Sequence, residues 1–386
     1  MRQLRLQLKR QASYQSKMDQ AITEHSQARD VNRSLNLDEY RRGCIKLTSR
    51  PQFLVIELTQ TCNLRCPMCR TDESATANRV MKSELFERVA EELFPLAVMV
   101  DLRGWGESLI LPDILQHIDK AATFGTSIRF VTNLSFRRPA VLDKLAEHGC
   151  HVAVSIDAAD PILFRSLRGG ARLDLVASNV DRLTHLYEKR FGSTERLYFT
   201  TTVQKPALTD LPNIIDFAAD HRIKEVRLFS VTVEDDSPLG INEETARTDE
   251  ALSQACERAK RRGVRLIAGT KLGSMPENRL DIPACLHPWA YAYVSYSGAV
   301  GFCDHLVGIP GEAYHLGHLQ VSSFEEIWNG PAWQSLRREH LGSRDPKAPK
   351  FQECGWCYKN RFIDFEHLFD PQASNRIVTL TSRHNQ

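Results

Sequence analysis

Apolar runs alternate with segments of helical periodicity along the chain from residue 51 to residue 235. Each apolar run has the length of a strand and is bounded by polar or turn-forming residues, which is typical of a buried strand. We therefore predict six strands, which span Phe53–Leu58, Val98–Arg103, Ser127–Thr132, Val152–Ile156, Leu197–Val203 and Glu225–Phe229.

Segments with helical periodicity lie between these runs and predict helices over Lys82–Leu93, Leu111–Phe124, Ala140–His148, Ala171–Tyr187 and Leu211–His221. A regular alternation of buried strands and helices predicts an α/β fold with a parallel sheet and helices on its outside. Six such units are two short of a closed eight-stranded barrel.

The flanking segments have a different character. Residues 1–50 are polar and charged, and we expect a helical or partly disordered extension. A bridge over residues 236–284 has a helix at Glu243–Arg262, a short strand at Val264–Ile267 and a loop at Gly273–Pro283. The expected organisation is an extension at 1–50, a core at 51–235, the bridge, a second domain at 285–365 and a tail at 366–386.

Composition restricts the class of protein. Apolar residues make up 42% and charged residues 25%, which is ordinary for a soluble globular chain. The net charge of +2 gives no electrostatic reason to expect a nucleic-acid partner. No apolar run has the length of a membrane span, and the basic N-terminus lacks the apolar region of a secretory signal. Ten cysteines, several at metal-like spacings, favour a reducing cytoplasm over a disulfide scaffold.

The first cysteine group follows the first predicted strand directly, in the segment LTQTCNLRCPMCR. Cys62, Cys66 and Cys69 have the spacing CxxxCxxC. Soft thiolates in one short loop suit an iron–sulfur cluster, and three of them leave one iron of a cubane open. Zinc is an alternative, although zinc loops usually pair CxxC with a second CxxC or with histidines. A third interpretation is three core cysteines that happen to lie close together.

The second group contains Cys285, Cys303, Cys354 and Cys357. The segment AYAYVSYSGAVGF between the first two alternates and contains Ser297-Gly298, which predicts a β-hairpin that brings Cys285 and Cys303 to one end. The CxxC of Cys354 and Cys357 completes four thiolates. Structural zinc also suits two such pairs.

Polar residues follow several predicted strands, where an α/β barrel has its chemistry. The segment after the second strand reads RGWGES and contains Trp105, Gly106 and Glu107. Thr132, Asn133 and Ser135 follow the third strand, and Ser155 and Asp157 end the fourth. Arg168 lies in the sequence LRGG. From the residues alone, Gly-Trp-Gly is also compatible with a plain turn, Asp157 with a helix cap and Arg168 with a surface position.

With its CxxxCxxC loop and six β–α units, the chain resembles the radical S-adenosylmethionine (SAM) superfamily over about residues 51–235. The resemblance implies an open (βα)6 partial barrel. It also implies a [4Fe–4S] cluster on Cys62, Cys66 and Cys69 whose open iron binds the amino and carboxylate groups of SAM. One electron then cleaves SAM to methionine and a 5′-deoxyadenosyl radical.

Further matches concern the SAM contacts. The RGWGES segment resembles the GGE-like motif that holds the SAM amino group, with Trp105 where glycine is commoner. Ser155 and Asp157 resemble polar residues that reach the SAM ribose. Arg168 resembles an arginine that meets the SAM carboxylate. Asn133 belongs to the same expected SAM site.

The C-terminal segment SFEEIWNG, at residues 323–330, together with Trp333, resembles SPASM and twitch domains, which carry auxiliary [4Fe–4S] clusters. A full SPASM domain has at least three more cysteines after the CxxC, and this sequence has none after Cys357. The resemblance is therefore to the shorter twitch form. It implies one auxiliary cluster on Cys285, Cys303, Cys354 and Cys357.

The expected activity is dehydrogenation of a sugar or aminocyclitol in antibiotic or other natural-product biosynthesis, with the auxiliary cluster accepting an electron. This architecture resembles twitch-type enzymes such as 2-deoxy-scyllo-inosamine dehydrogenase. Alternatives are epimerisation or dehydration of an aminoglycoside-type sugar, or thioether formation or epimerisation in a precursor peptide. A non-catalytic iron–sulfur or zinc protein is a third class. We expect an external electron donor such as flavodoxin or ferredoxin, and no nucleic-acid or membrane partner.

Overall fold

The computed structural model describes residues 2–69, 79–234, 236–277, 285–303, 314–342, 352–362 and 378–382. Arg70 of the first cysteine loop, the second half of the predicted loop Gly273–Pro283 and most of the tail at 366–386 lie outside these ranges. Among the described residues, no helix is both long and apolar enough to cross a membrane.

The strands of the described part are β1 Phe53–Ile56, β2 Met99–Asp101, β3 Ser127–Thr132, β4 His151–Ser155, β5 Leu197–Val203, β6 Glu225–Ser230, β7 Arg265–Ala268, β8 Tyr291–Val294, β9 Ala299–Gly301, β10 Gly317–His318 and β11 Val378–Thr379. They form one sheet in the order β10-β9-β8-β1-β2-β3-β4-β5-β6-β7-β11. Strands β1 to β6 confirm the six predicted strands and pair in parallel.

The sheet continues beyond these six strands on both sides. On one side β7 pairs in parallel with β6, and β11 pairs antiparallel with β7. On the other side β8 pairs in parallel with β1, and it forms the predicted hairpin with β9. Gly298 turns this hairpin with φ +95°, a conformation that glycine adopts readily. The hairpin therefore extends the barrel sheet.

The helices of the described part are α1 Arg2–Arg41, α2 Ser83–Leu93, α3 Ile114–Thr123, α4 Pro139–Glu147, α5 Pro161–Leu167, α6 Leu173–Phe191, α7 Leu211–Asp220, α8 Thr245–Arg262, α9 His287–Ala290, α10 Phe324–Trp328, α11 Pro331–Gly342 and α12 Gln352–Asn360. The five predicted core helices and the bridge helix are confirmed as α2, α3, α4, α6, α7 and α8. Helix α5 was not predicted, because its seven residues are too short for a clear period.

The two faces of the parallel sheet differ in chemistry. Phe199 of β5 stacks on Phe217 of α7 with 5.8 Å between ring centroids, so this side chain points to the helix layer. Because side chains alternate along a strand, Tyr198 and Thr200 point to the opposite, concave face. The fold is thus a six-unit partial barrel with an apolar layer under its helices and a polar concave face.

Helix α1 is fastened to the barrel by buried polar side chains. Arg29 donates to the carbonyls of Phe124 and Gly125 at 2.8 and 3.0 Å. Asn36, only 2% exposed, donates to the carbonyl of Trp289 at 2.7 Å and to the hydroxyl of Ser49 at 2.8 Å. The second half of the predicted N-terminal extension is therefore packed onto the core through specific hydrogen bonds.

Candidate active site

The first cysteine loop leaves the carboxyl end of β1 and pairs with the RGWGES segment. Gly106 N–H donates to the carbonyl of Thr59 at 3.1 Å, and Glu107 N–H donates to that of Thr61 at 2.9 Å. A Cβ on Gly106 would lie 2.4 Å from the carbonyl oxygen of Thr61. Only glycine therefore allows these two backbones to approach so closely.

Glu57 lies beneath both loops and was not among the predicted site residues. Its carboxylate accepts from the backbone N–H groups of Trp105 at 3.2 Å and Tyr296 at 3.4 Å, and from the side chain of Gln60. Burial raises the pKa of this carboxyl, which is fully buried. Glu57 thus joins the cysteine loop, the RGWGES segment and the β8–β9 hairpin. The sequence signal is a single acid that interrupts the apolar run FLVIEL.

The Glu107 carboxylate points into the protein, at 3% exposure. It accepts from the hydroxyl of Thr132 at 2.9 Å, from Asn133 N–H at 2.7 Å and from Leu109 N–H at 3.2 Å. Burial raises its pKa, and these hydrogen bonds oppose that shift. Glu107 therefore links the ends of β2 and β3.

Asn133 connects the end of β3 to the cysteine loop. Its side-chain nitrogen lies 3.0 Å from the side-chain oxygen of Asn63 and 3.7 Å from Cys62 Sγ, while its oxygen accepts from Ser135 N–H at 2.7 Å. The same segment holds the loop a second time, since the Asn63 side-chain nitrogen donates to the carbonyl of Ser135 at 2.7 Å. Asn133 therefore contacts the cysteine loop directly.

Asp157 and Arg168 form a buried ion pair. Arg168 Nη1 lies 3.0 Å from Asp157 Oδ2, and Asp157 Oδ1 accepts from Thr202 N–H at 2.8 Å. Burial raises the pKa of Asp157, and the guanidinium opposes that shift. Asp160, rather than Asp157, caps α5 by accepting from two N–H groups of its first turn. On the concave face, the partly exposed hydroxyl of Ser155 has no hydrogen-bond partner among the described residues.

The LRGG turn after α5 supports the cysteine loop by direct backbone contact. Gly169 has φ +55°, and a Cβ there would lie 2.3–2.5 Å from the backbone atoms of Arg65. The neighbouring Arg168 carries its charge beside the loop, where it acts to lower the pKa of Cys62 and Cys66. The Nε of Arg168 is buried without a hydrogen-bond partner among the described residues.

These features fit an anionic thiolate-bound cluster. Burial raises the pKa of Cys62, and it raises that of Cys66 to about 11, so both thiols hold protons until a metal displaces them. Leu64 N–H already lies 3.4 Å from Cys62 Sγ. A nearby guanidinium with an unpartnered donor and N–H groups directed at sulfur both stabilise a negative cluster. In the described residues, no three His, Cys, Asp or Glu side chains converge in a metal-ligating arrangement.

The second cysteine group begins at the opposite end of the strands. Cys285 precedes β8, which is parallel to β1, and therefore lies toward the amino ends of these strands. Cys62 follows β1 and lies toward their carboxyl ends. Cys303 follows β9 and is buried. Cys354 and Cys357 lie on α12, whose last residue, Asn360, accepts from Lys271 N–H at 2.6 Å. Cys285 and Cys303 thus lie on either side of the hairpin, whereas Cys354 and Cys357 lie on a helix held beside β7.

Two protein-family models match parts of the chain. Residues 56–193 match the radical SAM superfamily, and residues 285–358 match SPASM, an iron–sulfur cluster-binding domain. The first match covers the first cysteine loop and strands β2 to β4, and the second covers the segment that carries the second cysteine group.

Several known proteins are similar to the chain. A PqqA peptide cyclase of Methylobacterium sp. (strain 4-46) is 26% identical over 310 residues, with coverage of 74% of this chain and 75% of that protein. An AdoMet-dependent heme synthase of Methanosarcina barkeri (strain Fusaro / DSM 804) is 23% identical over 343 residues, with coverage of 81% of this chain and 90% of that protein. The crystal structure of Streptococcus suis SuiB has the same fold, with a TM-score of 0.62, 14% identity and coverage of 78% of this chain and 71% of that one.

The chain therefore carries a radical SAM domain at residues 56–193 and a C-terminal SPASM domain at residues 285–358. Its cofactors are SAM and [4Fe–4S] clusters, one kind in the barrel and the auxiliary kind in the SPASM domain.

Proposed function

We propose that the chain catalyses a radical oxidation in which a hydrogen atom is removed from a substrate carbon and the remaining electron leaves through the SPASM domain. Cys62, Cys66 and Cys69 would hold the SAM-cleaving cluster, and the single observation that carries this assignment is the convergence of Asn133, Arg168 and Gly169 on their loop. When bound, that cluster supplies the electron that cleaves SAM. Cys285, Cys303, Cys354 and Cys357 would hold the auxiliary cluster as an electron acceptor.

The protein residues around the first loop have separate tasks in this proposal. The backbone of the segment with Trp105 and Gly106 faces the amino group of SAM, and Glu107 positions this segment. Ser155 presents its hydroxyl to the ribose. Arg168 pairs with Asp157, where its charge opposes the rise in the pKa of that carboxyl, and it retains a buried donor for an anionic group.

Atoms and electrons balance as an oxidation. Bound SAM would supply the radical that accepts one hydrogen atom from the substrate carbon. Loss of one further electron to the SPASM domain and of one proton to a base would then give a product with two electrons fewer.

The positions of the remaining cysteines favour oxidation over epimerisation, which needs a thiol to return a hydrogen atom. Cys150 is 1% exposed, and burial raises its pKa to about 12. Cys256 lies on α8, which packs on the outer helix α7. The carbonyl of Cys44 accepts from Trp289 Nε1 at 2.7 Å, near the sheet edge opposite the first cysteine loop. None of the three lies at the carboxyl ends of the barrel strands.

Two substrate classes follow from the comparisons and from the sequence. A precursor peptide is favoured by the PqqA peptide cyclase, whose similarity covers three quarters of both chains. Sugar or aminocyclitol dehydrogenation stays a prediction from the twitch-like cysteine count. The two are distinguished by incubating the reduced enzyme with each class and SAM, and by detecting a product lighter by two hydrogens. An external electron donor such as flavodoxin or ferredoxin belongs to the same proposal.

The cluster assignment is tested by anaerobic reconstitution. We expect about eight irons per chain, four for each [4Fe–4S] cluster, and cleavage of SAM to 5′-deoxyadenosine after reduction. Changing Cys62, Cys66 and Cys69 together to Ala should leave about four irons and abolish cleavage. Changing Cys354 and Cys357 to Ala should also leave about four irons but preserve cleavage.

Cys256→Ala is the control, since this cysteine belongs to neither group, and it should retain all iron. Full iron in the triple variant would refute the assignment of the first loop. Loss of SAM cleavage in Cys256→Ala would show that the assay reports general damage.

A further inference from the structure

The concave face of the barrel carries an unusual concentration of arginine. Asp101 of β2 contacts two guanidinium groups, from Arg103 and from Arg129 of β3, each at 2.9 Å. Glu225 of β6 contacts two more, from Arg227 of the same strand and from Arg265 of β7. Among the described residues of this cluster, guanidinium groups therefore outnumber carboxylates four to two.

Tyr198 joins the two halves of this cluster. Its hydroxyl accepts from Arg129 Nε at 2.7 Å, and the guanidinium of Arg227 stacks on its ring with 4.0 Å from Cζ to the centroid. Tyr198 is 4% exposed and alternates with Phe199, which faces the helices. Arg129 and Arg227, which contact Tyr198, therefore lie inside the barrel.

Arg227 is the member best placed to bind a ligand. Its Nε is held by Glu225 and its plane by Tyr198, while its two terminal nitrogens have no partner among the described residues. The side chain is 20% exposed, so the guanidinium is partly accessible to solvent. A guanidinium fixed in this manner presents two parallel donors, the geometry that carboxylates and phosphates accept.

The position is close to the expected SAM site. Arg227 is paired in register with Thr200, and Thr200 with Ser155. Two strand spacings of about 4.8 Å each put the Arg227 backbone about 10 Å from that of Ser155. A nearby histidine experiences the same positive field, since burial and the guanidinium groups of Arg196, Arg129 and Arg227 lower the pKa of His151 to about 4.

We propose that the concave face binds an anionic group of the substrate, a carboxylate or a phosphate, on the fork of Arg227. The proposal rests on the proposed function, because it takes the barrel interior as the substrate site. An acidic peptide side chain or a phosphorylated sugar matches this face. An aminocyclitol whose ionisable groups are amines does not, since its positive charges would meet the arginines.

The test is anaerobic titration calorimetry of the reconstituted full-length protein at low ionic strength, with inorganic phosphate, succinate and uncharged succinamide as probes. We expect one of the two anions to bind and succinamide not to bind. Preference for phosphate identifies a phosphate-type group, and preference for succinate a carboxylate. Arg227→Gln should weaken the bound anion at least tenfold, and Arg227→Lys, which keeps the charge but loses the fork, should also weaken it.

Arg182→Gln is the matched control: it removes the same charge from an exposed pair with Asp143 and should leave the affinity unchanged. Equal affinity in Arg227→Gln and wild type, equal weakening in Arg182→Gln, or no binding of either anion to wild type would overturn the proposal. SAM cleavage is measured in parallel. Its absence in wild type rejects the proposed function, whereas its persistence in Arg227→Gln with weakened anion binding supports the anion site independently.

Discussion

At the residue scale, the candidate site depends on places where two backbones touch. Gly106 lies against Thr61 and Gly169 lies against Arg65, so glycines hold the cysteine loop from two sides. At each position a Cβ would lie less than 2.5 Å from a backbone atom of the loop, which leaves no room for a side chain. The loop that carries three expected cluster ligands is therefore shaped by residues that have no side-chain chemistry.

Gly169→Ala tests this role. The new methyl group would collide with the Arg65 backbone, which cannot move without displacing Cys66. We expect iron to fall from about eight to about four per chain and SAM cleavage to be lost, since only the first cluster is affected. Iron analysis and a 5′-deoxyadenosine assay measure both effects.

Gly170→Ala is the control for backbone strain. Gly170 also has positive φ, +92°, but a Cβ there would meet nothing within 4 Å. This variant should lose only about 1 kcal/mol of stability and keep its iron. If both variants retained full iron, close packing of the LRGG turn would not be needed for the cluster loop.

At the element scale, Arg337 of α11 fastens the C-terminal domain to the rest of the chain. The fully buried guanidinium donates to the carbonyls of Pro288, Ile45 and Trp328, each at 2.9 Å, and lies 4.4 Å from the ring of Trp328. Burial lowers its pKa to about 9, so the group stays charged at neutral pH. One guanidinium therefore joins α9, α10 and the segment that follows α1.

Arg337→Met should destabilise the protein by roughly 2–4 kcal/mol, because the carbonyls of Ile45 and Trp328 lose their donor and that of Pro288 loses one of its two, while the side-chain volume is nearly kept. The midpoint of urea unfolding, followed by tryptophan fluorescence, measures this loss. Arg338→Met is the matched control on the same helix, where the side chain is exposed, and its midpoint should stay within the error of wild type. Equal midpoints for both variants would contradict the role given to Arg337.

At the scale of the whole molecule, the positive barrel interior couples stability to pH through His151. Burial first, and then the arginines, lower its pKa to about 4, below the ordinary value of 6.5. The unfolded chain therefore binds a proton between these values that the folded chain does not bind. Stability is fully present above pH 6.5 and is lost as the pH falls toward 4.

As the pH falls from 6.5 to 4, we expect the free energy of unfolding of wild type to decrease by up to roughly 3 kcal/mol more than that of His151→Gln. Urea unfolding of both proteins at a series of pH values gives their free energies of unfolding. The difference between the two proteins removes the effect of any acid loss of clusters, because that loss is common to both. Parallel pH profiles would show that His151 titrates normally in the folded state.

The sequence by itself determined the local elements and the first cysteine loop. The six strands and five core helices follow from apolar runs and helical period, because burial of a strand or of one helix face leaves its pattern in contiguous residues. The CxxxCxxC spacing and the Ser297-Gly298 turn are equally local. Helix α5 was missed because a short segment has too few turns to show a period.

Only the tertiary structure decided which distant residues meet. The pairing of β7 with β6 and of β8 with β1 joins the core, the bridge and the hairpin into one sheet, and backbone hydrogen bonds between strands have no sequence code of their own. The same holds for Glu57 beneath three loops and for Arg227 on Tyr198. Their partners are set by strand register, so their roles become visible only when the sheet is assembled.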